Sequence, residues 1–139
     1  VFDLILHNYG PDVKIGSLHI NVYDTMSAHD IHGLTRKISM QMYERHGIIM
    51  TVGVYAVATG DNKQAELQKE VLHIIASHKE IIQVHGLYYS EADNMFSVDI
   101  VPDESVNDDA GISRQLAEEI QPLVPGVNVF VVVDHNYSE

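Results

Sequence analysis

Val84-His85-Gly86-Leu87-Tyr88-Tyr89-Ser90-Glu91-Ala92-Asp93-Asn94-Met95-Phe96-Ser97-Val98-Asp99-Ile100-Val101 is the stretch on which the fold turns. Val84 to Tyr89 and Met95 to Val101 are short runs rich in β-branched and aromatic residues, the composition of strands. Glu91-Ala92-Asp93-Asn94 between them is a polar turn, so the pair reads as a hairpin. Downstream, Ile112, Leu116 and Ile120 recur at helical spacing behind Asp108, a residue type suited to capping a helix. Pro125-Gly126 breaks that helix, and Val127 to Asp134 is a last apolar strand. Upstream, Leu67, Val71, Ile74 and Ile75 mark another helix ending near His78. Residues 61–139 therefore read helix, strand, strand, helix, strand.

The same order returns in residues 1–60 without its opening helix. Phe2, Leu4 and Leu6 alternate with Asp3, Ile5 and His7 as a strand that stops at Asn8-Tyr9-Gly10-Pro11-Asp12. Ile15, Leu18, Ile20 and Val22 belong to a second strand. Ser27 and Asp30 form a weak capping box before a helical stripe of Ile31, Leu34, Ile38 and Met42. Gly47 suits the end of that helix, and Ile48 to Val57 is a third strand. Thr59-Gly60-Asp61-Asn62-Lys63 is a short polar linker. Phe2 aligns with His85, His19 with Asp99, and Gly47-Ile48 with Gly126-Val127, so the chain repeats a whole supersecondary unit. The expected fold class is α+β: two tandem ferredoxin-like αββαβ units, the first lacking its opening helix. A unit this small is marginal alone, so packing of the two units or dimerisation is expected to complete the burial.

Composition narrows the function. The 139 residues carry a formal net charge of −12, with nine histidines and no cysteine. Absence of cysteine removes disulfides, thiolate zinc sites and cysteine nucleophiles. The acidity argues against nucleic acid and against adsorption on an anionic membrane. The charge is divided unevenly: residues 1–63 hold six acids and five bases, whereas 64–139 hold fourteen acids and three bases. An acidic surface can be a solvated face or a collector of cations. The solvated face is the ordinary case; imidazole is a common ligand for transition metals, so nine histidines raise the second reading without proving it. No Gly-rich phosphate loop, Gly-x-Ser-x-Gly elbow or His-Glu-x-x-His motif is present, and the chain is not expected to be an enzyme. No apolar run reaches the eighteen residues of a membrane span. Val1 begins within a strand and is not methionine, which reads as a piece of something longer.

Two stretches carry a likeness to a known family. Val1-Phe2-Asp3-Leu4-Ile5-Leu6-His7-Asn8-Tyr9-Gly10-Pro11 and Ser17-Leu18-His19-Ile20-Asn21-Val22, followed by Ala28-His29-Asp30-Ile31, resemble the C-terminal cytosolic domain of cation diffusion facilitator transporters. Residues 61–139 match only in outline, through Val84-His85-Gly86-Leu87 and the strand pattern, as a duplicated tail would. The resemblance implies a regulatory domain on the cytoplasmic side of a membrane, a homodimer that senses divalent cations and acts on the transporter's own membrane domain.

The family draws metal ligands from strand one, strand two, the start of the following helix and strand three. On this pattern the first unit keeps His19 and His29, but has Phe2 in strand one and no ligand in Thr51-Val52-Gly53-Val54-Tyr55-Ala56. The second unit keeps His85, has Asp99 in strand two, keeps Asp134 with His135 beside it, and has Val132 and Ala110 where ligands would stand. His85, Asp99 and Asp134 would make a nitrogen and oxygen set suited to Zn²⁺, Mn²⁺ or Fe²⁺. Each site has an ordinary counterpart. His19 and the His85 set can be structural polar groups; His29 and His32 can be surface residues. His46 sits where a helix C-terminus favours positive charge, and His73 and His78 suit surface or packing. A tandem ACT-like module that senses a small molecule, and a purely structural dimerisation domain without metal, are the competing readings.

Overall fold

A computed structural model describes residues 1–135, which form two compact units, 1–57 and 58–135. Positions 136–139 of the expected second unit lie outside the described residues. The first unit runs β1 (Phe2–Asn8), β2 (Lys14–Tyr23), α1 (Ala28–His46), β3 (Ile48–Val57). The second runs α2 (Lys63–Ala76), β4 (Ile81–Ser90), β5 (Met95–Pro102), α3 (Asp109–Ile120), a short 3₁₀ turn (Gln121–Leu123) and β6 (Asn128–Val133). This is the expected α+β architecture of two tandem ferredoxin-like units, the first without an opening helix.

Each sheet has three strands in sequence order. The first two strands pair antiparallel, and the second and third pair parallel across a helix. Parallel neighbours need such a crossover, because a tight turn can only reverse the chain. The helix starts follow the capping chemistry of the sequence. Ser27, Asn62 and Asp108 each accept a backbone N–H with their side-chain oxygens, from Asp30, Ala65 and Gly111 respectively. α2 begins at Lys63, inside the stretch read as linker, because Asn62 supplies the cap. It ends at Ala76, close to the expected end near His78.

The second unit has the larger core. Phe96, Val98 and Ile100 alternate along β5 and are fully buried against Val71 of α2 and Leu116 and Ile120 of α3. Two helices thus cover one face of that sheet. In the first unit only α1 is present, and none of its residues is fully buried. The core there is Leu18, Ile48 and Met50, with Leu4, Ile20, Met42 and Val52 partly covered. Leu6, which faces the side that α2 covers in the second unit, stays 54% exposed. Among the described residues no helix is long and apolar enough to cross a membrane.

One local feature departs from simple alternation in both units. Phe2 pairs with His19 and Ile5 with Ser17, so β1 spends three steps where β2 spends two. His85 pairs with Asp99 and Tyr88 with Ser97, the same excess in β4. Each is a β-bulge, and the residue after the first pair has a positive φ: 52° at Asp3 and 62° at Gly86. Glycine reaches that conformation without strain, and aspartate tolerates it better than most residues. The bulge corrects one expectation. Phe2 does not share a face with Leu4 and Leu6; it turns onto the face away from α1, with its ring 6.4 Å from that of Tyr55.

Candidate functional site

The bulges set the positions where polar groups gather. Residues directly opposite in an antiparallel pair share a face, and parallel register carries that row onto the third strand. In the first unit the row is Phe2, His19, Gly53; in the second it is His85, Asp99, Val132. Both rows lie on the sheet face away from the unit's helices, because their strand neighbours Leu18, Val98 and Val131 point into the cores. The alignment of Phe2 with His85 and of His19 with Asp99 is therefore an equivalence of register as well as of sequence.

In the first unit His19 is embraced by two residues that the sequence did not single out. Its Nδ1 lies 2.9 Å from Oδ2 of Asp3, and the Tyr55 hydroxyl donates to the same oxygen at 2.8 Å. The His19 and Tyr55 rings stack with centroids 4.7 Å apart and 21° between planes. Gly53 makes room for the imidazole: a Cβ at that position would lie 2.2 Å from His19 Cδ2. Asp3 reaches His19 because the bulge turns it out of regular alternation. The signal in the sequence was the match of Asp3 with Gly86, a glycine inside a strand pattern.

In the second unit the His85 side chain is fully buried, and its Nε2 lies 3.4 Å from Oδ2 of Asp134. Asp134 follows β6 directly, and its N–H donates to the Ile100 carbonyl at 2.8 Å, which continues the sheet one residue and holds the carboxylate beside the row. A separation of 3.4 Å is long for a hydrogen bond. It fits two atoms that share one tetrahedral ion, since ligands about 2.0–2.1 Å from Zn²⁺ stand about 3.3 Å apart. Asp99 stands directly opposite His85 and is half-buried. Within this unit, among the described residues, Asp99 does not join His85 and Asp134 in a group with all ligand atoms within 4.8 Å of one another. The donor set is thus one imidazole and one carboxylate in direct reach, with a second carboxylate on the facing strand.

The remaining histidines fall elsewhere. His135 Nε2 is 2.9 Å from Oδ2 of Asp109 at the start of α3, and both side chains are about half exposed. His29 is exposed in the first turn of α1, and His46 closes the last turn beside Arg45. His78, read as a surface or packing residue, is nearly buried between two carboxylates. Its Nε2 is 2.8 Å from Glu119 and its Nδ1 3.3 Å from Glu80. The hydrogen bond to Glu119, helped by Glu80, raises the His78 pKa against the opposing effect of burial. The same bond, with one from Gln115, holds Glu119 below the usual carboxylate range.

No protein-family model and no curated protein matches the chain.

Proposed function

We propose that the chain is the cytosolic regulatory and dimerisation domain of a divalent-cation efflux transporter of the cation diffusion facilitator type, and that its second unit binds the cation. The observation that carries this reading is the buried His85 nitrogen 3.4 Å from the Asp134 carboxylate. A neutral imidazole and a carboxylate suit Zn²⁺, Mn²⁺ and Fe²⁺, and water or further oxygen donors such as Asp99 would complete the shell. The excess of acids in residues 64–139 would raise the local cation concentration. The role is binding and not catalysis: ion occupancy would bias one arrangement of the transporter over another by differential affinity. In that setting the partners are a second copy and the transporter's own membrane domain.

The first unit supports a different reading of its own histidine. His19 is already held by Asp3 and stacked on Tyr55. An ion-pair contact and a ring stack of this kind stiffen a sheet, so the first unit serves as the structural and dimerising half.

Titration calorimetry of the whole chain with Zn²⁺ and with Mn²⁺ tests the proposal. Binding is expected, and His85→Ala and Asp134→Asn are each expected to weaken it by at least about tenfold. His19→Ala should leave affinity unchanged. Circular dichroism separates lost binding from lost folding in the His85 variant, and the exposed edge of Asp134 makes its amide variant the safer arm. No heat with either ion, or affinity indifferent to both substitutions, overturns the metal reading.

A further inference from the structure

The first unit ends its sheet on a long edge strand. β3 pairs with β2 on one side and is the edge of the sheet on the other. Its ten residues, Ile48–Val57, contain no charge and no proline. Natural edges are blunted by such residues, by bulges or by shortness, and a long apolar edge is a template for another strand. β6 in the second unit is blunted by comparison: it has six residues and runs directly into Asp134.

A groove of about 510 Å³ runs between β3 and α1. Met40, Tyr43 and Ile49 line it and are all at least half exposed. Arg36 and Glu44 also line it, four residues either side of Met40 on the same helical face. This arrangement is complementary to itself. A twofold axis near Met40 would set Arg36 of each copy against Glu44 of the other, with the apolar side chains between them.

We propose that this edge and groove are the surface on which a second copy of the chain docks, β3 against β3 antiparallel, to make a continuous six-stranded sheet. This deepens the dimerisation part of the proposed function and rests on it, but does not depend on metal. Charge favours this occupant: residues 1–63 carry a net charge near zero, whereas 64–139 hold fourteen acids and three bases. Like charge opposes self-association, so the near-neutral unit is the better surface for a second copy. Backbone pairing along β3 supplies affinity, while the Arg36 and Glu44 pairs fix the direction of approach.

Sedimentation velocity of the full chain in EDTA, from low to roughly 100 µM, tests the surface independently of any metal. Dimers are expected. Arg36→Glu and Glu44→Arg, each placing like charges across the axis twice, should weaken dimerisation by about tenfold or more. The double variant, which restores both pairs with their signs exchanged, should recover it. Ile49→Lys at the exposed edge should abolish it. A wild-type chain that is monomeric throughout overturns the proposal. So does a dimer that tolerates Ile49→Lys and both charge reversals, which would locate self-association elsewhere and leave the dimerising role intact. Because calorimetry with Zn²⁺ reads the second unit, failure there does not bear on this surface.

Discussion

Gly53→Ala places a methyl group where the His19 ring lies. The new Cβ would sit 2.2 Å from Cδ2 and 2.4 Å from Nε2 of His19, against about 3.5 Å for unstrained contact. The ring must therefore move by more than about 1 Å, which breaks its stack on Tyr55 and its contact with Asp3. Overpacking of this kind costs about 1–3 kcal/mol. Loss of the His19–Asp3 contact adds at most about 1 kcal/mol, because the His19 side chain is 37% exposed and solvent screens the pair. Against this, alanine in a strand is favoured over glycine by roughly 0.5–1 kcal/mol. The net expectation is about 1–3 kcal/mol of destabilisation in the first unit. With a urea slope of about 1–3 kcal/mol per molar, the midpoint should fall by roughly 1 M. The decisive arm is His19→Ala. In that background the space is empty, and Gly53→Ala should be neutral or stabilising. An equal loss in both backgrounds would refute the idea that Gly53 exists to seat the imidazole.

Two further outcomes follow from the second unit. Leu116→Ala, at a fully buried position of α3, should destabilise the second unit by about 2–5 kcal/mol, and far more than any alanine substitution on α1, where no residue is fully buried; comparable losses on the two helices would contradict the core described above. His78→Gln tests the clamp to Glu80 and Glu119 through its pH dependence. The raised His78 pKa gives stability that is complete below the ordinary histidine value and is lost as pH rises through the folded value. The lowered Glu119 pKa gives stability that is complete above the ordinary glutamate value and is lost as pH falls through the folded value. The loss on substitution should therefore be greatest between about pH 4.5 and 6.5, at about 1 kcal/mol given that Glu119 is 39% exposed. It should shrink by pH 8, and a pH-independent loss in thermal melts would show that the ion pairs do not matter.

Periodicity carried the architecture, because each strand and helix buries one face and writes its period into the chain. The capping residues Ser27, Asn62 and Asp108 and the helix-ending Gly47 were local chemistry, readable without tertiary knowledge. Asn62 shows the limit: it was read as linker because a capping residue and a loop residue share the same composition. The bulges were less accessible. A regular alternation puts Phe2 with Leu4 and Leu6, and nothing local to residues 1–8 contradicts it. Only the comparison with Gly86 marks Asp3 as a left-handed position. For the same reason Asp3 and Tyr55 were missed as neighbours of His19, since their meeting requires a bulge in one strand and register in another. His85 and Asp134 were named because they are ligand types at equivalent repeat positions. Their spacing of 3.4 Å is a property of the folded sheet.

The two units place different chemistry on one backbone device. A bulge in the first strand holds a residue at positive φ and sets a cross-strand pair on the face away from the helices. In the first unit that pair is Phe2 and His19, and Asp3 and Tyr55 answer the imidazole, so the polar groups are directed to one another. In the second the pair is His85 and Asp99, glycine takes the left-handed position, and the answering carboxylate is Asp134, 3.4 Å from His85 Nε2. The unit with the open β3 edge is the one with few net charges, and the unit with the imidazole–carboxylate pair is the strongly acidic one. Association and cation binding make opposite demands on charge, since self-association is opposed by like charge and cation capture is helped by it. On the two proposals above, spreading the acidic residues of 64–139 evenly over both halves should weaken self-association and cation binding alike.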